Sequence, residues 1–187
     1  MLSMVEYVHQ RVQSYPQGLI GVDMTMGNGF DTVLLAKHCR EVWAFDIQEE
    51  SIIATQEKIK DFSHVHLLLD SHENIDQYLL SFDIGIFNLG YLPQNNHRIT
   101  TLLSSTQTAL QKAIKMFQEV IFIVVYPGHE EGQKESEWIC EFVSHLNTHL
   151  YNVSCYYMMN KHHAPYVIEI QKRKGRDRFC TEPNYLD

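Results

Sequence analysis

The sequence predicts an α/β fold in which helices cover both faces of a mostly parallel, doubly wound sheet. Apolar runs of strand length alternate with helical patterns along most of the chain. One of these runs ends in Asp23 and leads through a turn containing Gly27 and Gly29 into a helical pattern. The last two runs are joined by six residues, too few for a helical crossover, so they should pair antiparallel and close the sheet with a hairpin.

Seven strands follow from the apolar runs, and we expect them at residues 19–22, 41–45, 65–69, 83–87, 120–125, 153–158 and 166–170. Residues 160–165 form the connection within the final hairpin. The first five runs are each followed by a segment long enough for a crossover, which is the arrangement of parallel strands.

Helices are predicted between the strands. Val5, Val8 and Val12 lie on one face of an N-terminal helix, and Thr32 opens the helix after the glycine turn. Three more helical patterns are marked by Ile52 and Ile59, by Tyr78 and Leu79 in a short helix, and by a capping box of Ser104 and Gln107. A last helix carries the apolar stripe Trp138, Ile139, Phe142, Val143 and Leu146.

Length and composition indicate one domain over residues 1–187, of which about 174–187 form a basic C-terminal tail. No apolar run is long enough to cross a bilayer and the N-terminus lacks the pattern of a signal peptide, so we expect a cytoplasmic protein without membrane contact. The four cysteines form no C-x-x-C pair, which is typical of reduced thiols. The net charge of -8 argues against a nonspecific nucleic-acid coat. The basic run 172–178 is equally consistent with a solvated tail and with RNA contact.

Polar and turn residues follow the carboxyl end of each of the first five strands, where open parallel sheets bind ligands. The segments are Asp23 with the glycine turn, Asp46, 70–72, 88–93 and 126–129. Glycines at 27 and 29 allow a ligand to approach the backbone, and the following helix offers free N–H groups. The sequence therefore predicts a nucleotide-cofactor site at this edge.

Individual roles follow from this placement. Asp46 has the spacing of an acid that binds ribose hydroxyls, or else it favours the start of the next helix through the helix dipole. Asp70 and His72 could flank an adenine, or cap the helix before Glu73. Asp23 ends a buried strand and needs a partner, for which a cofactor ammonium is a candidate.

A nicotinamide cofactor is the obvious competitor for this site. The pattern G-x-G-x-x-G requires a third glycine where the chain has Thr32. The run Asn-Leu-Gly-Tyr at 88–91 also has no evident use in a dehydrogenase.

These segments together resemble class I methyltransferases that use S-adenosylmethionine, and 88–91 resembles the (Asn/Asp)-Pro-Pro-(Tyr/Phe) motif of enzymes that methylate amino nitrogens. More closely, the blocks 23–32, 44–48, 88–93 and 126–132 are similar to the tRNA 5-(aminomethyl)-2-thiouridine methyltransferase family, long labelled putative rRNA methylases. The resemblance runs from about Leu2 to Arg173. It implies a Rossmann-like, seven-stranded sheet whose last strand is antiparallel. It also implies N-methylation of the 5-aminomethyl group at the tRNA wobble uridine, with contacts to the anticodon stem-loop, by a homodimer.

The resemblance implies cofactor contacts from Asp23, Gly27, Gly29, Asp31, Asp46, Ile47, Asp70 and His72. Their neighbours complete the expected cofactor site: Met26, Asn28, Thr32, Gln48, Ser71, Asn88 and Leu89. The resemblance implies Asn88 and Tyr91 at the methyl-transfer site. Independently of it, we expect Gly90, Arg98 and His129 among the substrate contacts. The loop 94–98 and the tail after Lys174 depart from the family pattern, so the resemblance does not extend to their contacts.

Chemistry supports a nitrogen acceptor. Methyl transfer from a sulfonium needs a neutral amine in a near-attack geometry, which Asn88 and the carbonyl of Leu89 can orient while Tyr91 stacks beside it. No cysteine follows the fourth or fifth strand, which argues against carbon-5 methylation of a pyrimidine through a thiolate adduct. His129, with Asp31 behind it, is the candidate base, although a histidine in a Pro-Gly turn is as often a surface residue.

The remaining histidines predict no metal site, since neither His64 and His66 nor His145 and His149 has a third ligand at a familiar spacing. Lys161 and His162 in the hairpin turn either touch anticodon-loop phosphates or are solvated. The alternatives to the leading function are an N-methyltransferase of rRNA or another amine, a nicotinamide-dependent oxidoreductase, and a noncatalytic RNA-binding module.

Overall fold

A seven-stranded sheet organises the protein, as the sequence predicts. A computed structural model describes residues 2–90 and 103–175. The strands are β1 (Ile20–Asp23), β2 (Glu41–Asp46), β3 (Val65–Leu69), β4 (Phe82–Asn88), β5 (Phe117–Val125), β6 (Tyr151–Tyr156) and β7 (Tyr166–Lys172). Every predicted strand is found, with bounds that differ by three residues or fewer.

The strands lie in the order β3-β2-β1-β4-β5-β7-β6, and the order reverses between β1 and β4. β1 to β5 are parallel, and β7 is antiparallel to both β5 and β6. The predicted hairpin is therefore confirmed, and the last strand inserts between β5 and β6. In an open sheet the reversal of order leaves a crevice beyond the carboxyl ends of the strands on either side, here at Asp23 and Asn88.

Five α-helices are described: α1 (Met4–Gln13), α2 (Phe30–His38), α3 (Glu49–Ile59), α4 (Leu103–Met116) and α5 (Glu130–Ser144). One apolar core joins α1 and α2 to one face of the sheet, with Val8, Val12 and Leu35 buried. The other joins α4 and α5 to the opposite face, with Leu110 and Ile139 buried. Helices on both faces were predicted and are confirmed.

Two local helix predictions are wrong. The short helix is a 3₁₀ helix over His72–Gln77, and Tyr78 is its C-cap rather than a member. Ser104 does not open the fourth helix, because the helix already includes Leu103 and the Ser104 carbonyl accepts a helical-spacing bond from the Thr108 hydroxyl. The 3₁₀ helix packs against α4, where the Lys112 ammonium binds the Glu73 carbonyl at 2.6 Å.

Within the described residues no helix is long and apolar enough to cross a membrane.

Candidate active site

The glycine turn after β1 is tied to the neighbouring strands by backbone bonds. Met26 donates to the Phe45 carbonyl of β2 at 2.9 Å, and Gly29 donates to the Met26 carbonyl at 2.8 Å. Gly27 and Gly29 both have left-handed backbone, with φ of 49° and 76°. A Cβ on Gly27 would meet only the Thr25 carbonyl, at 3.8 Å, so the space above this residue is open to a ligand.

Gly29 serves packing, and its predicted cofactor contact is untested. A Cβ there would overlap the side chain of buried Thr55 on α3. The two predicted glycines of the turn therefore differ in role: the first leaves room for a ligand and the second lets α2 and α3 approach each other. Asn28, between them, is exposed.

Asp23 is fully buried at the end of β1. Its carboxylate accepts hydrogen bonds from the Thr32 hydroxyl at 2.6 Å and the Thr25 amide at 3.1 Å. Burial raises the pKa of Asp23 to about 7, the nearby carboxylate of Asp31 adds to the rise, and these two bonds oppose it. A cationic ligand group at this position would favour the charged form.

Asp46 holds the glycine turn against β2. One carboxylate oxygen accepts from the Gly27 amide and the other from the Gln48 amide, each at 2.9 Å. Gln48 is the N-cap of α3, so the helix-start interpretation of Asp46 is confirmed. Each oxygen keeps a second lone pair, and binding of a ribose diol therefore stays a prediction.

Two exposed apolar side chains stand at the same edge. Ile47 follows β2 and Leu69 ends β3, and each side chain is 58 % exposed. The two strands are adjacent and Asp46 is in register with Leu69, so Ile47, the residue after Asp46, belongs to the same edge of the sheet as Leu69. They suit the wall of a pocket for a planar, apolar ring.

Asp70 is occupied by local contacts. Its carboxylate accepts from the Tyr78 hydroxyl at 2.7 Å and from the Asn74 amide at 2.9 Å, and the Tyr78 bond is the main cause of its lowered pKa. Ser71 caps the 3₁₀ helix through its hydroxyl. These contacts are the ones expected if this segment caps a helix, which is the alternative to adenine binding.

His72 is buried and its Nδ1 lies 2.9 Å from the Met24 carbonyl, so Nδ1 carries the proton. Nε2 is buried with no partner among the described residues, and burial lowers the pKa of the ring. A contact with adenine stays a prediction for both Asp70 and His72.

Asn88 ends β4 and is held from two sides. Its backbone amide donates to the Thr25 hydroxyl at 2.7 Å, and its side-chain amide donates to Asp31 at 3.0 Å. The next residue, Leu89, donates from its backbone to the Val124 carbonyl of β5 at 3.0 Å. These bonds fix Asn88 across the crevice from Asp23.

Gly90 lies flat against an aromatic ring. A Cβ at this position would come within 3.2 Å of Tyr126, the residue that follows β5. Burial raises the pKa of Tyr126, and the carboxylate of Asp31 adds to the rise. The glycine of Asn-Leu-Gly-Tyr is therefore explained by close approach to a protein ring, whereas the prediction that Gly90 admits substrate is untested. Tyr91 and Arg98 lie outside the described residues.

Asp31 connects three elements at this crevice. Its second carboxylate oxygen lies 2.6 Å from Nε2 of His9 on α1. Sequence reasoning missed His9, because no local pattern relates a helix residue to a carboxylate 22 positions later. The expected arrangement placed His129 in front of Asp31, whereas the described hydrogen bonds of Asp31 go to His9 and Asn88.

His129 is the N-cap of α5, and its Nδ1 accepts from the Gly132 amide at 3.0 Å. In a neutral ring with Nδ1 accepting, Nε2 carries the proton, so the lone pair of His129 is already used. A role as general base would require loss of this cap.

Lys161 and His162 lie in the turn between β6 and β7 and are exposed. Asn88, Val124, Val167 and Tyr156 form one row across β4, β5, β7 and β6. Three strand spacings separate Asn88 from Tyr156, or about 14 Å. The hairpin turn therefore belongs to the same edge as the crevice. No group of three metal-ligating side chains occurs in the part of the chain that the structure describes.

The fold and the rim of polar residues define a class I methyltransferase. Residues 42–172 match the model of the family described as "Putative rRNA methylase", and the chain belongs to this family.

Solved structures of similar chains share the fold. A putative methyltransferase from Streptococcus mutans, in complex with SAH, is 32% identical with a TM-score of 0.84, covering 92% of this chain and 99% of that one. A putative rRNA-methylase from Clostridium thermocellum is 30% identical with a TM-score of 0.87 over the same shares.

Among curated proteins, the tRNA (mnm(5)s(2)U34)-methyltransferase, chloroplastic, of Arabidopsis thaliana is 30% identical over 173 residues. The match covers 82% of this chain and 63% of the plant protein, so the chain spans somewhat under two thirds of that relative's length.

Proposed function

We propose that the protein transfers a methyl group from S-adenosylmethionine to the 5-aminomethyl group of 5-aminomethyl-2-thiouridine at the wobble position of tRNA. The observation that carries the proposal is the amide of Asn88, held by Asp31 at the crevice where the strand order reverses. Support for the substrate comes from the curated plant relative, and support for the cofactor from the S. mutans structure with SAH.

The residues present fit this cofactor. The open space above Gly27 admits a ligand against the backbone, and the charge of Asp23, buried beneath the glycine turn, would attract the ammonium without direct contact. Asp46 suits ribose hydroxyls, while Ile47 and Leu69 suit the faces of an adenine ring. S-adenosylmethionine, when bound, supplies a methyl group activated by a sulfonium.

The protein's own part in the reaction is to orient the amine. The oxygen of the Asn88 amide accepts a hydrogen bond from the amine, and the Leu89 carbonyl accepts a second, which aims the nitrogen lone pair at the methyl carbon. The amine enters as an ammonium and loses one proton to solvent water before attack. Its nitrogen then forms the N–C bond, while the electron pair of the broken C–S bond stays on sulfur.

RNA binding is proposed at the hairpin turn, where Lys161 and His162 lie exposed at the same edge of the sheet. These cationic or titratable groups would contact phosphates of the anticodon stem-loop, although the chain as a whole carries a charge of -8. A homodimer and a cytoplasmic location are further parts of the proposal. Light scattering of the purified protein, with and without an anticodon stem-loop, decides the oligomeric state.

The test is methylation of tRNA isolated from cells that lack the modification, with labelled S-adenosylmethionine and identification of the nucleoside by mass spectrometry. We expect label only in the wobble nucleoside. Transfer of the label to ribosomal RNA instead would support the alternative, an rRNA N-methyltransferase, which is the activity that the family description names. Binding of NADH without binding of S-adenosylhomocysteine would support an oxidoreductase.

Two substitutions separate the proposed roles. Asp46→Ala should weaken binding of S-adenosylhomocysteine by about 1–3 kcal/mol, because ligand hydroxyls and the Gly27 amide lose their acceptor. Asn88→Ala should lower the rate and spare cofactor affinity, and Asn152→Ala, on exposed β6, is its matched control. Equal loss of cofactor affinity in the first two variants, with no separate effect on rate, would contradict this division of roles.

A further inference from the structure

We propose that His9 is a positioning residue for methyl transfer, which acts through Asp31 to keep the amide oxygen of Asn88 turned toward the substrate amine. The inference rests on the function proposed above, and it adds a residue from the N-terminal helix to the site. Its basis is a chain of two short hydrogen bonds, 2.6 Å from His9 to Asp31 and 3.0 Å from Asn88 to Asp31.

The direction of both bonds follows from the chemistry of the central group. Asp31 is 6 % exposed and lies in the first turn of α2, beside the free N–H groups of the helix start. A carboxylate only accepts hydrogen bonds, so His9 must present Nε2–H and Asn88 must present its NH₂ group. The tautomer of the imidazole and the orientation of the amide are thereby fixed together.

The orientation of Asn88 matters because its side-chain torsion next to the amide is soft and the two ends of the amide have opposite roles. With NH₂ on Asp31, the oxygen is the end that accepts from an amine. A flipped amide would direct N–H groups at a group that is itself a donor. Without His9, one oxygen of Asp31 loses its partner and the carboxylate can rotate away from Asn88.

The position of α1 is itself determined by contacts on the opposite side of the helix. Glu169 of β7 is buried and binds the guanidinium of Arg11 through both oxygens, at 2.7 and 3.0 Å. Tyr7 stacks on Tyr156 with the ring centroids 4.2 Å apart. The residues that anchor α1, Tyr7 and Arg11, therefore flank His9 in the sequence.

The experiment compares His9→Ala, His9→Gln and His9→Asn in steady-state methylation and in binding of S-adenosylhomocysteine. The amide nitrogen of glutamine reaches about as far as Nε2, whereas that of asparagine reaches only as far as Nδ1. We expect kcat to fall about tenfold to a hundredfold in His9→Ala and His9→Asn, since a misplaced orienting group costs rate. We expect His9→Gln to keep kcat within about threefold and all three variants to keep cofactor affinity within about twofold.

The control is His66→Ala, which removes a histidine that also pairs with a carboxylate, Glu41 at 3.3 Å, but at the β3 edge of the sheet. Its kcat should equal that of the unmodified protein. Unchanged kcat in His9→Ala would overturn the proposal. A His9→Gln variant as slow as His9→Ala would overturn it as well, because proton transfer by the ring would then matter rather than the hydrogen bond.

A spectroscopic readout separates this inference from the proposed function. The side-chain amide signals of Asn88 in ¹⁵N-labelled protein, identified by their loss in Asn88→Ala, should shift in His9→Ala and stay in place in His66→Ala. This measurement needs no RNA substrate. If the Asn88 signals shift while no tRNA is methylated, the proposed function is wrong but the hydrogen-bonded connection from His9 to Asn88 is supported. If the signals do not shift, that connection is wrong.

Discussion

The hydroxyl of Thr32 lies 2.6 Å from Oδ2 of Asp23 and joins the end of β1 to the first turn of α2. This bond and the Thr25 amide favour the charged form of Asp23, while burial and the nearby Asp31 raise its pKa to about 7. The carboxyl group is therefore divided between its two protonation states at neutral pH. Such a group links the stability of the protein and the binding of a cation to pH.

Asp23 should make the ligand-free protein less stable as pH rises. Its pKa is about 7 in the folded protein and 3.8 in an unfolded chain, so between these values the folded state keeps a proton that the unfolded state has released. Stability therefore falls from about pH 4 to pH 7, by on the order of 3–4 kcal/mol. In urea unfolding across this range, the free energy of unfolding should fall less in Asp23→Asn, which has no carboxyl group to titrate. It should fall more in Thr32→Val, because this variant loses a hydrogen bond that stabilises the charged form of Asp23. Equal slopes in all three proteins would contradict the assignment.

Binding of S-adenosylhomocysteine should release part of a proton at pH 7 if its ammonium lies near Asp23. The cation stabilises the carboxylate, so the proton that the free protein holds is lost on binding. Calorimetry in phosphate and Tris buffers measures this release from the difference in apparent enthalpy. In the Asp23→Asn variant, the binding enthalpy should differ between the two buffers only by the amount that comes from proton release by the ligand itself. Buffer-independent enthalpies in the unmodified protein would place the ammonium elsewhere.

Glu135 provides a second pH-dependent contact, away from the crevice. It is 6 % exposed on α5 and accepts from the Thr106 hydroxyl of α4 at 2.7 Å, and burial raises its pKa to about 7. The folded state again binds the proton more tightly, so this contribution also falls as pH rises from about 4.5 to 7. Glu135→Gln keeps the bond from Thr106 without the charge and should raise the unfolding free energy at pH 8 by about 2–3 kcal/mol. Exposed Glu130→Gln is the control and should cause no change in the same urea titrations.

The sequence predicts the sheet well because its signals are local. Apolar residues predominate in β2 to β5 and β7, and the antiparallel hairpin follows from the short connection between β6 and β7. The ends of β1, β2 and β4 could likewise be placed, because Asp23, Asp46 and Asn88 each follow directly on buried positions. Parallel strands then bring these ends to one edge.

Contacts between distant helices could not be predicted. His9 meets Asp31 through the packing of α1 on α2, and Glu135 meets Thr106 through the register of α5 on α4. Neither pair has a sequence spacing that periodicity fixes. The cap made by His129 could not be predicted for a related reason, since a histidine before a helix can be a cap acceptor or a base; its role as a base stays a prediction.

The two left-handed glycines Gly29 and Gly18 allow backbone strain to be separated from packing. Both have positive φ, 76° and 82°, but a Cβ on Gly18 meets nothing within 4 Å, whereas one on Gly29 meets Thr55. Gly18→Ala should cost only the left-handed conformation, about 1–2 kcal/mol. Gly29→Ala should cost about 1–3 kcal/mol more because it overpacks α2 against α3. When Thr55→Ala is also present, Gly29→Ala should lose less of its stability, because the obstacle is gone. Thermal unfolding of Gly18→Ala, Gly29→Ala, Thr55→Ala and the double variant of Gly29 and Thr55 tests this. If Gly29→Ala destabilises the protein equally with and without Thr55, Thr55 is not the obstacle.

Arg11 should stabilise the protein and position the N-terminal helix. The Glu169 carboxylate is 4% exposed, so Arg11→Ala leaves a buried charge with weaker partners, the Tyr7 hydroxyl at 3.3 Å and the Gln171 amide at 2.8 Å. Because the Arg11 side chain is itself 34% exposed, we expect a loss of about 1–3 kcal/mol in urea unfolding, less than for a fully buried pair. The double variant Arg11→Ala with Glu169→Gln should recover part of this loss, since the buried charge is gone. Lys134→Ala, in the exposed pair with Glu130, is the control and should show no loss.

Methylation by Arg11→Ala should also slow at a temperature where the variant is fully folded, because α1 carries His9 to Asp31. A stable Arg11→Ala protein with full activity would mean that the stack of Tyr7 on Tyr156 holds the helix without the ion pair.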